Sequence, residues 1–407
     1  MSKAIGPSPL HPLINPADLQ ENGNLISTST LNAIAQTVHV GPTKIDRKLH
    51  AELFPAPEVP RSLLFSRQGV FALYRDRSHD TDLAKHGYLG APRARLNAVS
   101  KVKLVQHQND RDGKWYAVKI LTLSENIDIV TYPEIVVLKH LGLLKDAFII
   151  SNLHEQQKLY IIMDLAPGKT LDSYLQELLA PPVLKPQAAL QAIIKMTILG
   201  LISVDKLHSK GVIHKDLFHG GYYEHDPSKL RFDNWVINPE QSNIHIIDFG
   251  QSFLSVKQDE FVFESNRILK AFLNFIAQPQ PRCPDGTPIR TLLWQKEYAW
   301  FLDLVLLLNM KLKQQQFPSL KPVIALLTDH YQRNYREQIP GAWVENPVPI
   351  SEAETQEIAA FKQRVTQYMH LSMEEFCEFL QKEKKGQLSS PDTIHTEGMR
   401  LFYLDLP

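Results

Sequence analysis

The chain has 407 residues, 43% of them hydrophobic, which is enough to bury a substantial core with extensions around it. Its 44 basic and 44 acidic residues give zero formal charge, so no global electrostatic term favours DNA, RNA or anionic lipid, and no nucleic-acid partner is expected. Cys283 and Cys377 can form neither a disulfide framework nor a zinc site, which suits a reducing compartment such as the cytoplasm. Met1–Pro7 shows no apolar signal core. The run Tyr298–Met310 is read as the most apolar; it is too short to cross a bilayer and contains Asp303, so it predicts a buried helix and no membrane span.

Taken in order, residues 1–60 carry scattered prolines without sustained periodicity and are expected to form an extended or partly disordered arm with one short helix near Leu31–Thr37. Leu63–Tyr74 adds a strand or helix. Val102–Val105 and Tyr116–Leu121 read as strands joined by the polar turn Asn109–Gly113. Apolar residues recur at helical spacing over Tyr132–Leu141. Leu159–Leu165 is a strand running into Ala166-Pro167-Gly168, and Leu171–Leu179 is a helix. Trp235–Ile237 and Ile244–Ile247 suit a hairpin around Pro239–Asn243. A helix over Phe261–Leu273 and a loop over Gln278–Gly286 follow. The tail offers two helices, Ser351–Met369 and Ser372–Lys385, the first opening with a capping box, Ser351-Glu352-Ala353-Glu354. These elements imply an α+β fold, with strands early and helices late, and no internal repeat.

Three motifs carry chemistry: His214-Lys215-Asp216-Leu217, then Asp233-Asn234-Trp235-Val236-Ile237, then Ile247-Asp248-Phe249-Gly250. Their order resembles the catalytic loop and metal-binding strand of the protein kinase family. Tyr116-Ala117-Val118-Lys119-Ile120-Leu121 resembles that family's Val-Ala-Ile-Lys strand. The resemblance implies a bilobal kinase-like domain over 61–335, with the N-lobe ending near residue 166, and a helical extension over 336–407. It implies ATP and Mg²⁺ as cofactors, with Asp248 on the metal that bridges the phosphates, Asn234 on the second metal, Asp216 as base for the acceptor hydroxyl, and Lys119 on the α/β-phosphates paired to Glu134 of helix C. Met163 falls at the gatekeeper position. The backbone of Asp164 and Ala166 is expected to face adenine, with Val102, Ala117 and Val236 lining its pocket.

The pattern departs from the family at four places. The motif puts its Asn five residues after the catalytic Asp, whereas Asn234 lies 234 − 216 = 18 residues after Asp216. The intervening Phe218–Asp233, rich in turn formers, therefore reads as a solvated insertion; no Asn closer to Asp216 competes with Asn234. Its His219, Glu224, His225 and Asp226 lack tight metal-ligand spacing. Counting back from Val102, the glycine-rich loop falls on Arg95, Asn97 and Ser100, none of them glycine; Gly90 could serve a displaced loop, or Arg95 or Lys101 could reach the phosphates. No Ala-Pro-Glu follows Gly250, and Lys215 replaces the usual Arg, so control by activation-loop phosphorylation is not expected. Gln251–Gln258 leads quickly into the helix expected from Phe261, and that brevity resembles Rio-type and related minimal kinases.

His214 reads as a buried residue bonded to backbone. Three functions stay open: a Ser/Thr protein kinase, a small-molecule kinase on the same fold, and a nucleotide-binding pseudokinase. The partner is accordingly a protein or small-molecule phosphoacceptor. A cytoplasmic location is expected, and the glutamate-bearing tail (Glu374, Glu375, Glu378) with the irregular arm is also compatible with a bacterial effector delivered into host cytosol.

Overall fold

Six strands from the first part of the chain pair antiparallel into one sheet, in the order β1-β2-β3-β4-β6-β5. They are β1 Ser62–Ser66, β2 Gly69–Leu73, β3 Ser100–His107, β4 Trp115–Thr122, β5 Leu144–Ser151 and β6 Gln157–Asp164. This computed structural model describes residues 62–66, 69–73, 100–107, 114–123, 129, 131–151, 157–179, 185–219, 229–277, 292–314, 317–343 and 345–368. The expected arm over 1–60, Gly90, Arg95, Asn97, the Asn109–Gly113 turn, the Gln278–Gly286 loop and the Ser372–Lys385 helix lie outside them.

Period-two alternation decides what each strand buries. On one face of the sheet Phe71, Val105, Tyr116, Val118, Phe148 and Ile162 form a core cluster, and Phe148 stacks on Tyr160 at 5.5 Å between ring centroids. Ala117 and Lys119 alternate with Tyr116 and Val118 and so take the other face. One helix, α1 (Pro133–His140), belongs to the same compact unit. Pro133 starts it where a missing N–H costs nothing. Gly142 (φ 73°) ends it, its N–H on the Lys139 carbonyl and the Leu143 N–H on that of Leu138, which is a Schellman stop.

The compact unit built on this sheet runs to Thr170 and takes in Ile247–Phe253; the other starts at Leu171 and is mostly helical. Its helices are α2 Leu171–Leu178, α3 Pro186–Ser209, α4 Gln258–Ala277, α5 Ala299–Gln314, α6 Lys321–Tyr335 and α7 Glu352–Tyr368. The α+β class is as the sequence implied. A different run holds the apolar extreme, however. Among the described residues it is α3, not Tyr298–Met310, that is long and apolar enough to cross a membrane, and its apolar side chains, including Leu190, Ile193, Ile194 and Ile198, are buried as the core of this unit.

Gly200 marks where α3 meets α4. A Cβ built there would come within 2.5 Å of the Phe272 ring, and Phe272 is itself fully buried against Trp235. The ring has no room to retreat. Gly200→Ala is therefore expected to destabilise the protein by about 1–3 kcal/mol despite alanine's better helix propensity, measured by denaturant unfolding. A variant as stable as the wild type would mean that α3 and α4 are free to separate.

The last helix is capped as the sequence predicted: the Ser351 N–H donates to Glu354 at 2.8 Å and the Glu354 N–H donates to Ser351 Oγ at 3.2 Å. Glu354 also pairs with Lys311 of α5 at 2.6 Å, and that hydrogen bond, with the Ser351 N–H, pulls its carboxyl down to about 2.

Candidate active site

The sheet unit assembles an ammonium between two carboxylates. Lys119 stands near the centre of β4, directly opposite Val102 of β3 and Ile161 of β6, while Ala117 lies opposite Met163. Cross-strand partners share a face, so Ala117, Lys119 and Met163 occupy the face of the sheet away from its core cluster. Lys119 Nζ donates to Glu134 Oε1 and Oε2 at 2.9 and 2.8 Å and to Asp248 Oδ1 at 2.7 Å. Glu134 comes from the first turn of α1 and is buried; the Asp248 side chain keeps 43% of its surface exposed.

Burial works against the Lys119 charge, yet Glu134 and Asp248 outweigh it and raise its pKa above the ordinary lysine value. For Glu134 burial wins in the opposite sense: desolvation raises its carboxyl, and Lys119 pulls it back only in part. Asp248 has left-handed backbone angles (φ 63°, ψ 67°), unusual for a residue other than glycine. Strain of this kind collects at functional sites, where the surroundings over-determine it.

Asp164 closes β6. Its N–H donates to the Leu143 carbonyl at 2.9 Å, and its carboxylate pairs with Lys114 (3.2 Å) and Lys145 (3.5 Å). The Asp164 N–H, one of the groups expected to meet adenine, is therefore committed within the sheet unit. The expected glycine-loop positions also shift in meaning. Ser100 is a paired strand residue opposite Leu121, and the strand before β3 ends at Leu73, paired with Val105. Gly90, Arg95 and Asn97 lie in the connection 74–99, outside the described residues.

In the helical unit, the Asp216 carboxylate accepts from Arg231 Nη1, while Asn234 Nδ2 donates to the Asp216 carbonyl at 2.6 Å and to its Oδ2 at 3.3 Å. Arg231 Nε also lies 3.4 Å from Asp233. These groups meet in spite of the insertion because its two ends pair: β7 (Phe218–His219) and β8 (Lys229–Leu230) form an antiparallel ladder, and the Arg231 N–H donates to the Leu217 carbonyl at 3.0 Å. Asn234 then leads into the hairpin β9 (Trp235–Asn238) and β10 (Asn243–Ile246), in which Val236 is buried opposite His245.

Behind Asp216 the chain turns through Lys215 at φ 66°. The buried Glu264 of α4 takes the Lys215 N–H at 2.7 Å, the His214 N–H at 3.1 Å and His208 Nε2 at 2.8 Å. Burial pushes the Glu264 carboxyl up, but these donors, His208 first, bring it below the ordinary glutamate value. His214 is fully buried, as its sequence context suggested, and its Nδ1 accepts the Asp216 N–H at 3.3 Å.

Arg231, Glu264 and His208 were not singled out by sequence. Arg231 had a signal, since it is a basic residue three positions before Asn234, but the insertion hid its distance from Asp216. Glu264 sits among the polar residues of an amphipathic helix, where a charge ordinarily reads as solvated.

Within the sheet unit, Lys119 supplies a point charge and Asp248 a partly exposed carboxylate, a hard oxygen donor of the kind Mg²⁺ takes. Within the helical unit, the Asn234 amide nitrogen is committed to Asp216, which leaves its oxygen as a second hard donor. Among the described residues no group of three His, Cys, Asp or Glu could hold a metal by itself. A site that borrows most of its ligands from phosphates and water needs none. No curated protein matches the chain. The stretch 98–268, which contains every one of these side chains, matches the protein kinase domain.

Proposed function

We propose that this chain is a phosphotransferase that moves the γ-phosphate of ATP to a serine or threonine hydroxyl of a protein. The observation that carries the reading is the buried Lys119 held between Glu134 and Asp248, an arrangement whose desolvation cost a packed apolar core would avoid, so stability alone does not account for it. Bound ATP with Mg²⁺ would supply an activated phosphoryl group with its charge partly neutralised. Lys119 would fix the α- and β-phosphates, with Glu134 setting the direction of its ammonium. Asp248 and Asn234 would be the metal ligands. Asp216 would accept the proton of the acceptor hydroxyl, oriented by Arg231 and the Asn234 amide. The faces of Val102, Ala117, Met163 and Val236, with the backbone at Asp164 and Ala166, would enclose the adenine.

A second reading has its own support. Helix α4 begins at Gln258, soon after Gly250, which leaves little chain for the platform on which peptide acceptors ordinarily lie, and favours a small molecule. Phosphate transfer to a peptide library, set beside sugars, aminoglycosides and choline, separates the two. The underlying chemistry is tested by thermal shift. ATP with Mg²⁺ should raise the melting temperature, by an amount equivalent to about 2.7 kcal/mol at a hundredfold excess over Kd, and Asp248→Ala should abolish the magnesium-dependent part. Equal shifts in the two proteins would take Asp248 away from the metal.

A further inference from the structure

The insertion separates the proposed base from a proposed metal ligand by 18 residues, so the contacts at its two roots decide how Asp216 and Asn234 meet. The two-pair ladder at its root is too short to hold alone. Helix α4 grips both roots. On the outgoing side, the Arg267 guanidinium lies 4.7 Å from the Phe218 ring centroid and 5.3 Å from that of Phe263, one helical turn before Arg267 on its own helix. On the returning side, Phe275 meets Phe232 edge-on at 4.9 Å and 75°. Arg267 is 8% exposed and Phe218 2%, so the cation–aromatic contacts form where water does not weaken them.

We propose that Arg267 is a positioning residue for phosphoryl transfer, clamping the root of the insertion so that Asp216 and Asn234 keep one geometry whatever the excursion between them does. The inference rests on the roles proposed for Asp216 and Asn234. Phe218 is two residues from Asp216, and Phe232 is two from Asn234, so slack at either root passes directly to a functional group. A guanidinium is flat and can offer a face to each of two rings. A lysine keeps the charge and loses that geometry.

The test compares full-length wild type with Arg267→Leu, Arg267→Lys and Phe263→Ala, the last stripping one ring from the guanidinium if the leucine variant does not fold. Arg267→Leu should lower kcat by about 10²-fold with the ATP KM unchanged, as a misplaced reacting group does. Amide exchange should quicken in 216–219 and 229–234 and stay unchanged in α3. Lysine should fail to restore kcat fully, and Phe263→Ala should lower kcat in the same direction. Unchanged kcat with unchanged exchange overturns the clamp. So does faster exchange spread through α3 with a general fall in melting temperature, which would make Arg267 a packing residue only. If the wild type transfers no phosphate to any acceptor, the proposed function fails, and localised or unaltered exchange still decides for or against the clamp.

Discussion

Asp216→Asn is expected to lower kcat by about 10²–10⁴ while leaving the affinity for ATP close to that of the wild type. The substitution keeps the shape of the side chain and one oxygen for Arg231, so the loop Lys215–Leu217 should stay folded. What it removes is the capacity to take a proton. In place of the Oδ2 that now faces the Asn234 amide at 3.3 Å, it can also present a second amide nitrogen. Because the nucleotide ligands proposed are Lys119, Asp248 and Asn234, nucleotide binding has no reason to weaken with the base. The measurement is steady-state transfer with ATP and acceptor varied separately, with melting temperature as the control on folding. Retention of wild-type turnover would deny Asp216 the role of base. A rise in the ATP KM with kcat intact would reassign it to nucleotide binding.

The sequence made the frame of this site legible, and the reasons are local. The strand Tyr116–Leu121 alternates and is rich in strand formers, and Glu134 lies in the first turn of a helix begun by Pro133, so both elements were legible locally, whereas the pairing of Lys119 with Glu134 was implied only by the family resemblance. Asn234 could be proposed despite the insertion because no asparagine lies between it and Asp216. The first strand pair was harder. Leu63–Tyr74 was open to either a strand or a helix, and it is a hairpin, Ser62–Ser66 with Gly69–Leu73, whose partners the sequence could not name. Helix α4 starts at Gln258, earlier than the apolar periodicity indicates, because its first turn is polar. Its entry is fixed by the Ser255 hydroxyl, which accepts the Lys257 N–H at 3.0 Å and bonds to Glu260.

What was not legible depends on contacts between distant segments. Arg231 reaches Asp216 only after Phe218-His219 pairs with Lys229-Leu230, and two-residue strands leave no periodic trace. Glu264 is polar by type and buried by place. Its value lies in three donors, two of them backbone N–H groups preceding Asp216, and no side-chain pattern records a backbone partner. Thus the residues proposed for the chemistry could be read from motifs, whereas those that aim them became visible only with the fold.

The second large effect expected concerns the buried ion pair, and its two halves should not be equivalent. Lys119 has two carboxylate partners, Glu134 and Asp248, whereas the hydrogen bonds of Glu134 go to Lys119. Glu134→Gln therefore leaves the ammonium still paired. Lys119→Met leaves a carboxylate that is 1% exposed without its cation, a loss of about 3–5 kcal/mol. Both variants should depress turnover, and the double variant should lose less than the sum, with a coupling of about 0.5–3 kcal/mol. The pH dependence gives an independent sign. Burial already raises the Glu134 carboxyl above its ordinary 4.5, and removing Lys119 deletes the group that holds it down. A carboxyl whose folded pKa exceeds its unfolded value costs stability as it ionises, so the deficit of Lys119→Met should be largest near neutral pH and should shrink as pH falls toward 4.5. Denaturant unfolding of the four proteins of the cycle at several pH values measures both quantities. Additive losses, or a deficit that does not change with pH, would mean that Glu134 and Lys119 do not act as a pair, and the direction assigned to the Lys119 ammonium would then rest on Asp248 alone.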